Sequence, residues 1–350
     1  MSMELPEIDS ALLTKFLVEL LKSPSPTGFA QEAIALTDHV FHNLPGVKTK
    51  RLPRGGLMVT VAGEHDDAPR GLTAHADTLG AMVKAIKPNG RLMLTKIGGV
   101  IWNTVEGEGC TVYTREGKRI RGSILVTTAS IHVFGEKLAE TPRKEENMEV
   151  RLDERVTNAD ETRALGISVG DFVSFDPRVE LTNGFVRSRH LDDKACVACL
   201  VEAIRALSSA GVKPVQTAYI YINNYEEHGF FSEADFPAPI SELLAVDMAA
   251  VGEGQTSDEY HATICVKDSS GPYHHGFSQR LRNLGDEFGI EYKVDIYPTY
   301  SSDASAYWRA GGNMPIALIG PGIDASHNYE RTHTDALVDT TRWLMAYLLN

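Results

Sequence analysis

A chain of 350 residues, 43% hydrophobic and 23% charged, can bury a substantial core as one large domain or two smaller ones. Its formal net charge of −13 argues against a nucleic-acid partner, which needs a basic face. No apolar run approaches the ~18 residues of a membrane span, and the opening Met-Ser-Met-Glu-Leu-Pro-Glu lacks the charged and apolar regions of a secretory signal, so the sequence reads as cytoplasmic.

Apolar positions Leu12, Leu13, Phe16, Leu17, Leu20 and Leu21 recur at helical spacing and predict helix over 8–44, broken at Ser23-Pro-Ser-Pro-Thr-Gly28 and resuming near Phe29. Strands are predicted over 57–62 and 71–75. From 79 to 185 the texture changes to short alternating segments punctuated by glycine, as in Arg91-Leu-Met-Leu-Thr-Lys-Ile-Gly-Gly99. This predicts a small β-rich module set into an α/β domain that comprises 1–78 and 186–350. Beyond it, a helix is predicted over 195–207, strands over 217–222, 243–247, 263–266, 292–297 and 316–319, and helices over 276–288, 304–310 and 340–349. Cys196 and Cys199 are spaced C-x-x-C, but they lie inside the apolar helical run Ala195-Cys-Val-Ala-Cys-Leu-Val-Glu-Ala-Ile204. Buried free thiols in a reducing compartment are expected there rather than a zinc or redox pair.

Polar residues collect at the carboxyl ends of the predicted strands, where open α/β sheets bind ligands. They are His75 and Asp77, Asp192 and Asp193, Glu226 and Glu227, Asp247, and then Asp303 and His327 in the loops around the strand at 316–319. Each has a plain structural reading as well. Asp192 suits a helix N-cap, a lone histidine after a strand is commonly a hydrogen-bonded loop residue, and Glu226-Glu227 could be a solvated turn. Together they are harder to dismiss, because a buried carboxylate such as Asp247 needs a cation or several donors. Two imidazoles and several carboxylates, with no obligatory thiolate, suit zinc, cobalt or manganese and are enough for two ions bridged by a carboxylate.

The motifs His75-Ala-Asp77, Leu191-Asp-Asp-Lys194, Glu226-Glu-His-Gly229, Ala245-Val-Asp247, Ser301-Ser-Asp-Ala304 and Ser326-His327 span nearly the whole chain. In order and spacing they resemble the dimetal aminopeptidases of the tetrahedral (TET) type, which include glutamyl and deblocking enzymes. The resemblance implies a zinc-exopeptidase-like α/β/α domain with a mixed sheet, and a small inserted β-barrel that serves as a dimerisation or lid domain. It also implies two divalent ions, zinc or cobalt. His75 and Asp247 would bind one ion, Glu227 and His327 the other, and Asp192 both. Asp77 would orient His75, and Glu226 would act as general base and acid. A cis peptide between Asp192 and Asp193 is implied too, as is a homo-oligomer extending to a dodecamer.

The chain departs from the family pattern at Lys194, where arginine is usual, and at His228, where a short aliphatic or small residue is usual. Both bear on specificity more than on the reaction. His333 is an alternative ligand to His327. Tyr273, His274, His275, Tyr300, Ser302 and Tyr307 are candidate pocket residues, with His274 and His275 suited to an acidic or polar substrate side chain. The substrate is expected to be a peptide or a small amide. A deacylase or glycoside hydrolase on the same scaffold is the second reading, although a metal-free glycosidase leaves His75, His327 and Asp247 unexplained. The third is a catalytically silent assembly protein, which has no need of Glu226.

Overall fold

Four parallel strands form the centre of the main sheet, in the spatial order Gln216–Asn223, His65–His75, Glu242–Val246 and Ile316–Asp324. This architecture is that of a computed structural model, which describes residues 4–232 and 236–350. Successive side chains along these strands enter different cores. Ile220, Ile222, Leu244, Val246, Ala317 and Ile319 belong to one, and Tyr221, Leu243, Ala245, Ile316 and Leu318 to another. Both faces are therefore covered, which is why the strands read as near-continuous apolar runs.

Helices Ser10–Lys22, Gln31–His42, Leu191–Ala210, His275–Glu287 and Thr334–Leu348 close the first core. Helix Asp303–Arg309, with Phe231 and Phe236, closes the second. The result is a three-layer α/β/α domain. Its sheet is mixed: Leu57–Val61 lies antiparallel to Gln216–Asn223, and Ala262–Asp268 lies antiparallel to Ile316–Asp324.

Strands Gly80–Ile86, Leu92–Ile97, Met148–Leu152, Arg119–Val126, Gly109–Tyr113 and Phe172–Phe175 close, in that order, into a barrel. Closure leaves no open sheet edge, and the barrel has a core of its own around Val83, Leu94, Trp102, Ile124 and Val173. The β-rich stretch read from sequence also contains the short helices Ile131–Phe134, Lys137–Glu140 and Ala159–Ala164. Its last strand, Glu180–Thr182, leaves the barrel and pairs with Phe185–Ser188 on the large sheet.

The predicted break after Lys22 is built by pairing: Thr27 N–H donates to Thr78 O (3.2 Å) and Thr78 N–H to Ser25 O (2.8 Å). Helix Leu191–Ala210 begins earlier than the apolar pattern suggests, with non-helical dihedrals at Asp192 and Asp193 and a cis peptide between them. Lys194 is buried behind that kink, and its Nζ donates to Ser23 O at 2.7 Å, tying the kink to the break. The final helix starts at Thr334 rather than at 340, because the His333 ring accepts the Asp335 N–H and caps it. All four cysteines are free and buried, and burial pushes the Cys199 thiol up to about 12.

Gly320 lies where two chain segments touch: a Cβ built there would sit 1.9 Å from the Asp247 carbonyl oxygen. Gly320→Ala is expected to cost on the order of 1–3 kcal/mol of stability, as overpacking does, and to displace Asp247. Urea denaturation of the variant beside the parent protein measures the first effect, and its metal affinity measures the second.

Candidate metal centre

Because the central strands run parallel, their carboxyl ends share one edge, and the chain places an acidic or imidazole side chain at each. His75 is the last residue of its strand and is paired in register with Asn223. Asp247 follows Glu242–Val246, with its N–H on Ile319 O at 3.1 Å. Glu226 and Glu227 open a single helical turn, Glu226–His228, after the strand ending at Asn223. Asp192 occupies the kink of Leu191–Ala210, and His327 sits with φ +64° in the loop before strand Glu330–His333.

Asp192 is central. Its Oδ1 lies 3.2 Å from His75 Nε2 and its Oδ2 lies 3.4 Å from His327 Nε2, so each oxygen faces a different imidazole. Donor atoms of His75, Asp192 and Asp247 lie within 4.8 Å of one another, and so do those of Asp192, Glu227 and His327. The Glu226 carboxylate stands outside both groups, 3.6 Å from His75 Nε2.

Buried hydrogen bonds hold these side chains from behind. Asp77 is completely buried, and its carboxylate accepts from Thr27 Oγ1 (2.7 Å), Glu226 N–H (3.1 Å) and Glu227 N–H (3.3 Å). His75 Nδ1 lies 2.9 Å from the Asp77 carbonyl oxygen and 3.6 Å from its carboxylate, so the nearer contact is to the main chain. Asp193 accepts the His75 N–H at 3.2 Å, while its other oxygen is buried without a partner. Asp303 accepts from Thr73 Oγ1 (2.5 Å) and Asn223 Nδ2 (2.7 Å).

Glu330, which the sequence pattern did not single out, accepts His327 N–H at 3.0 Å on one oxygen and Asp192 N–H at 3.1 Å on the other. In sequence it is an ordinary acid in a polar loop. In the fold it is buried at the start of strand Glu330–His333, which pairs with Phe185–Ser188.

His333 is in neither donor group; it caps the last helix, and its ring packs against Phe185 and Tyr260. His274 and His275 are both exposed at the start of helix His275–Glu287, and His274 N–H bonds to Ile316 O at the opposite end of the strand from the cluster. They do not line this site. Tyr273 and Tyr307 are buried, with the Tyr273 hydroxyl on Asp268 and Ser302 and the Tyr307 hydroxyl accepting from Asn313 and Met314 N–H. Tyr300 is close to the cluster, its hydroxyl on Met248 O at 2.9 Å.

Packing so many carboxylates together creates a demand for positive charge. Burial, then the Asp192 charge, pushes Asp247 up to about 7 and both Glu227 and Glu330 up to about 8. Burial and the charges of Asp247, Asp303 and Glu227 raise Glu226 well above the carboxylate range, despite the pull of His75. Burial opposes a charged His327, but its bond to Asp192 and the charge of Glu227 outweigh it and raise the ring to about 10. The same two histidines outweigh burial at Asp192 and hold it well below its ordinary value. Protons can supply the missing positive charge only in part. Divalent cations supply it directly, and oxygen and imidazole donors at these separations fit them.

An α/β/α sheet with a closed barrel set into it and a His/carboxylate cluster across its strand ends defines a metal-dependent hydrolase. The chain belongs to the M42 glutamyl aminopeptidase family, whose profile matches residues 55–342. It is 47% identical over 335 residues to YhfE of Bacillus subtilis (strain 168), covering 95% of this chain and 96% of that one. It is also 30% identical over 300 residues to the glutamyl aminopeptidase of Lactococcus lactis subsp. cremoris (strain MG1363), covering 79% of each. Among solved structures, the TET1 peptidase of Pyrococcus horikoshii superposes with a TM-score of 0.82 at 20% identity, covering 97% of this chain and 99% of that one.

The electrostatics predict a pH dependence. Asp247, Glu227, Glu330 and His327 all hold protons more tightly in the folded metal-free chain than when unfolded. At these groups folding takes up protons. Burial lowers His190 to about 3 and Lys194 to about 7, which pulls the other way, but these two are outnumbered. Metal-free stability therefore falls as pH rises from about 5 to about 8, whereas Asp192 titrates below that window. Cations that displace those protons flatten the dependence. Melting temperatures of chelator-treated and zinc-loaded protein across this range are the check, and parallel slopes would count against the cluster as a cation site.

Proposed function

We propose that the chain is an aminopeptidase that removes N-terminal residues from peptides and carries two divalent ions, zinc or cobalt. The observation that carries the reading is Asp192, whose two oxygens face His75 and His327 as the shared member of two donor groups. In this reading His75 and Asp247 hold one ion and Glu227 and His327 the other, with Asp192 between them. Bound there, the ions would supply Lewis acidity toward the scissile carbonyl and lower the pKa of water.

The remaining work falls to the chain. Glu226 is the general base and acid: its carboxylate borders the cluster without belonging to either donor group, and burial raises its proton affinity. It takes a proton from the attacking water and returns it to the leaving amine. Asp77 fixes Glu226 and Glu227 through their backbone N–H groups, so that neighbouring side chains serve different tasks. A substrate's free N-terminal amine, in its neutral form, would serve as a further ligand to the bound ions, which is the proposed basis of exopeptidase action.

Residues 79–185 form the lid and dimerisation domain in this proposal, supported by the approach of the barrel turn at Gly98 and Gly99 to Glu227 and His327. A homo-oligomer, up to a dodecamer, is supported by likeness to the Pyrococcus horikoshii TET1 peptidase, which can assemble into a tetrahedron or a large octahedral shell. A cytoplasmic setting is supported by the four free cysteines, and no described helix is long and apolar enough to cross a membrane.

Glu226→Gln is expected to lower kcat by roughly 10²–10⁴-fold, the usual weight of a general base, while metal still binds. Chelation abolishes activity, and zinc or cobalt restores it. A panel of aminoacyl amides and their N-acetylated counterparts decides the exopeptidase assignment: equal cleavage of blocked and free substrates would refute it.

A further inference from the structure

We infer that His228 is a positioning residue that couples the inserted barrel to one of the two ion sites, that of Asp192, Glu227 and His327. The inference rests on the two-ion reading above. His228 ends the single turn that carries both glutamates, and its Nε2 accepts the N–H of Gly98 at 3.1 Å. Gly98 and Gly99 directly follow the barrel strand Leu92–Ile97, and they lie on the ligands themselves. A Cβ on Gly98, whose φ is +73°, would stand 3.2 Å from Glu227 Oε2, and a Cβ on Gly99 would stand 2.9 Å from His327 Nδ1. Only glycines allow the turn to come this close.

The same barrel connection is fastened again further along. Thr104 Oγ1 donates to Ile101 O at 2.8 Å and lies 3.4 Å from His327 O. The buried Arg189 guanidinium donates to Asn328 O (3.2 Å), to the Glu108 carboxylate (3.1 Å) and to Thr104 O. The loop carrying His327 and the turn carrying Glu227 are thus both braced by the segment 98–108.

The other site is built differently. The hydrogen bonds that hold His75 and Asp247 come from Asp77, Asp193, Ile319 and Met248, all in the α/β domain. The two sites therefore differ in kind: one is held within the α/β domain, and the other also depends on where the barrel sits. A partner that orients a metal ligand from behind typically contributes 10- to 100-fold in affinity, and an exposed latch belongs at the lower end of that range, roughly tenfold. Because the His228 side chain is exposed, its replacement leaves the cores untouched.

The test is a titration of metal-stripped protein with zinc, read by calorimetry and by bound-metal analysis. The parent chain is expected to take up two equivalents. His228→Ala should bind one of them as the parent does and the other about tenfold more weakly, with an unchanged melting temperature in the metal-free state. His228→Gln, whose Oε1 can accept the same N–H, should restore the weakened equivalent. Gly99→Ala, which crowds His327 without touching His228, should weaken that same equivalent. His327→Ala provides the reference for losing it. Parent-like binding of both equivalents by His228→Ala, equal weakening of both, or no rescue by glutamine would overturn the inference and leave the two-ion reading intact. Fewer than two equivalents in the parent chain would instead overturn the reading itself, and the inference with it.

Discussion

The buried carboxylate of Asp192, held between two imidazoles, sets the terms for everything around it. A carboxylate in a dry site is costly unless positive charge and hydrogen bonds surround it. Here its oxygens are divided between His75 and His327, and its own N–H is taken by Glu330. Glu330 in turn holds the His327 main chain, so the bridging residue and one of its histidines are positioned by a single side chain. Asp77 does the same for Glu226 and Glu227. The geometry at the strand ends is therefore fixed by a set of interlocking carboxylates, each of which is tolerable only because the others and the histidines are in place.

This arrangement makes the cluster an electrostatic problem that divalent ions solve, and it separates two roles for chemically identical side chains. Glu227 has an oxygen within the donor group that includes His327, whereas Glu226, one residue earlier, stands outside both groups beside His75. Two adjacent residues can diverge in this way because the chain leaves the strand at Asn223 and coils at once into a tight turn. Strand alternation ends where the turn begins, and each carboxylate takes its own direction.

How much of this was legible in the sequence depended on the kind of signal. Continuous apolar runs such as Leu243-Leu-Ala-Val marked strands, and they stand where expected. The glycine-punctuated stretch after Leu79 marked a β-rich insertion, and its strands close into a barrel. Boundaries set by capping were less visible: the last helix begins at Thr334 because the His333 side chain caps it, a contact without an apolar pattern. The acidic and imidazole residues at the strand ends were visible as a coincidence of residue type and position, and the motif order supplied the rest. Glu330 was not visible, and neither was the partnerless oxygen of Asp193, because burial is what makes each of them matter. His274 and His275 looked like pocket residues from their neighbourhood in the chain, but the direction of the strand at Ile316 puts them at the far end of the sheet.

The sequence by itself determined the α/β class, the insertion and the residue types available for metal chemistry, since periodicity, glycine spacing and side-chain chemistry are local properties of a chain. Tertiary structure alone decided which acids face one another, which are buried, and that the barrel turn at Gly98 reaches Glu227 and His327. Those are relations between segments well separated in the chain, set by sheet register and strand direction, and no local pattern encodes them.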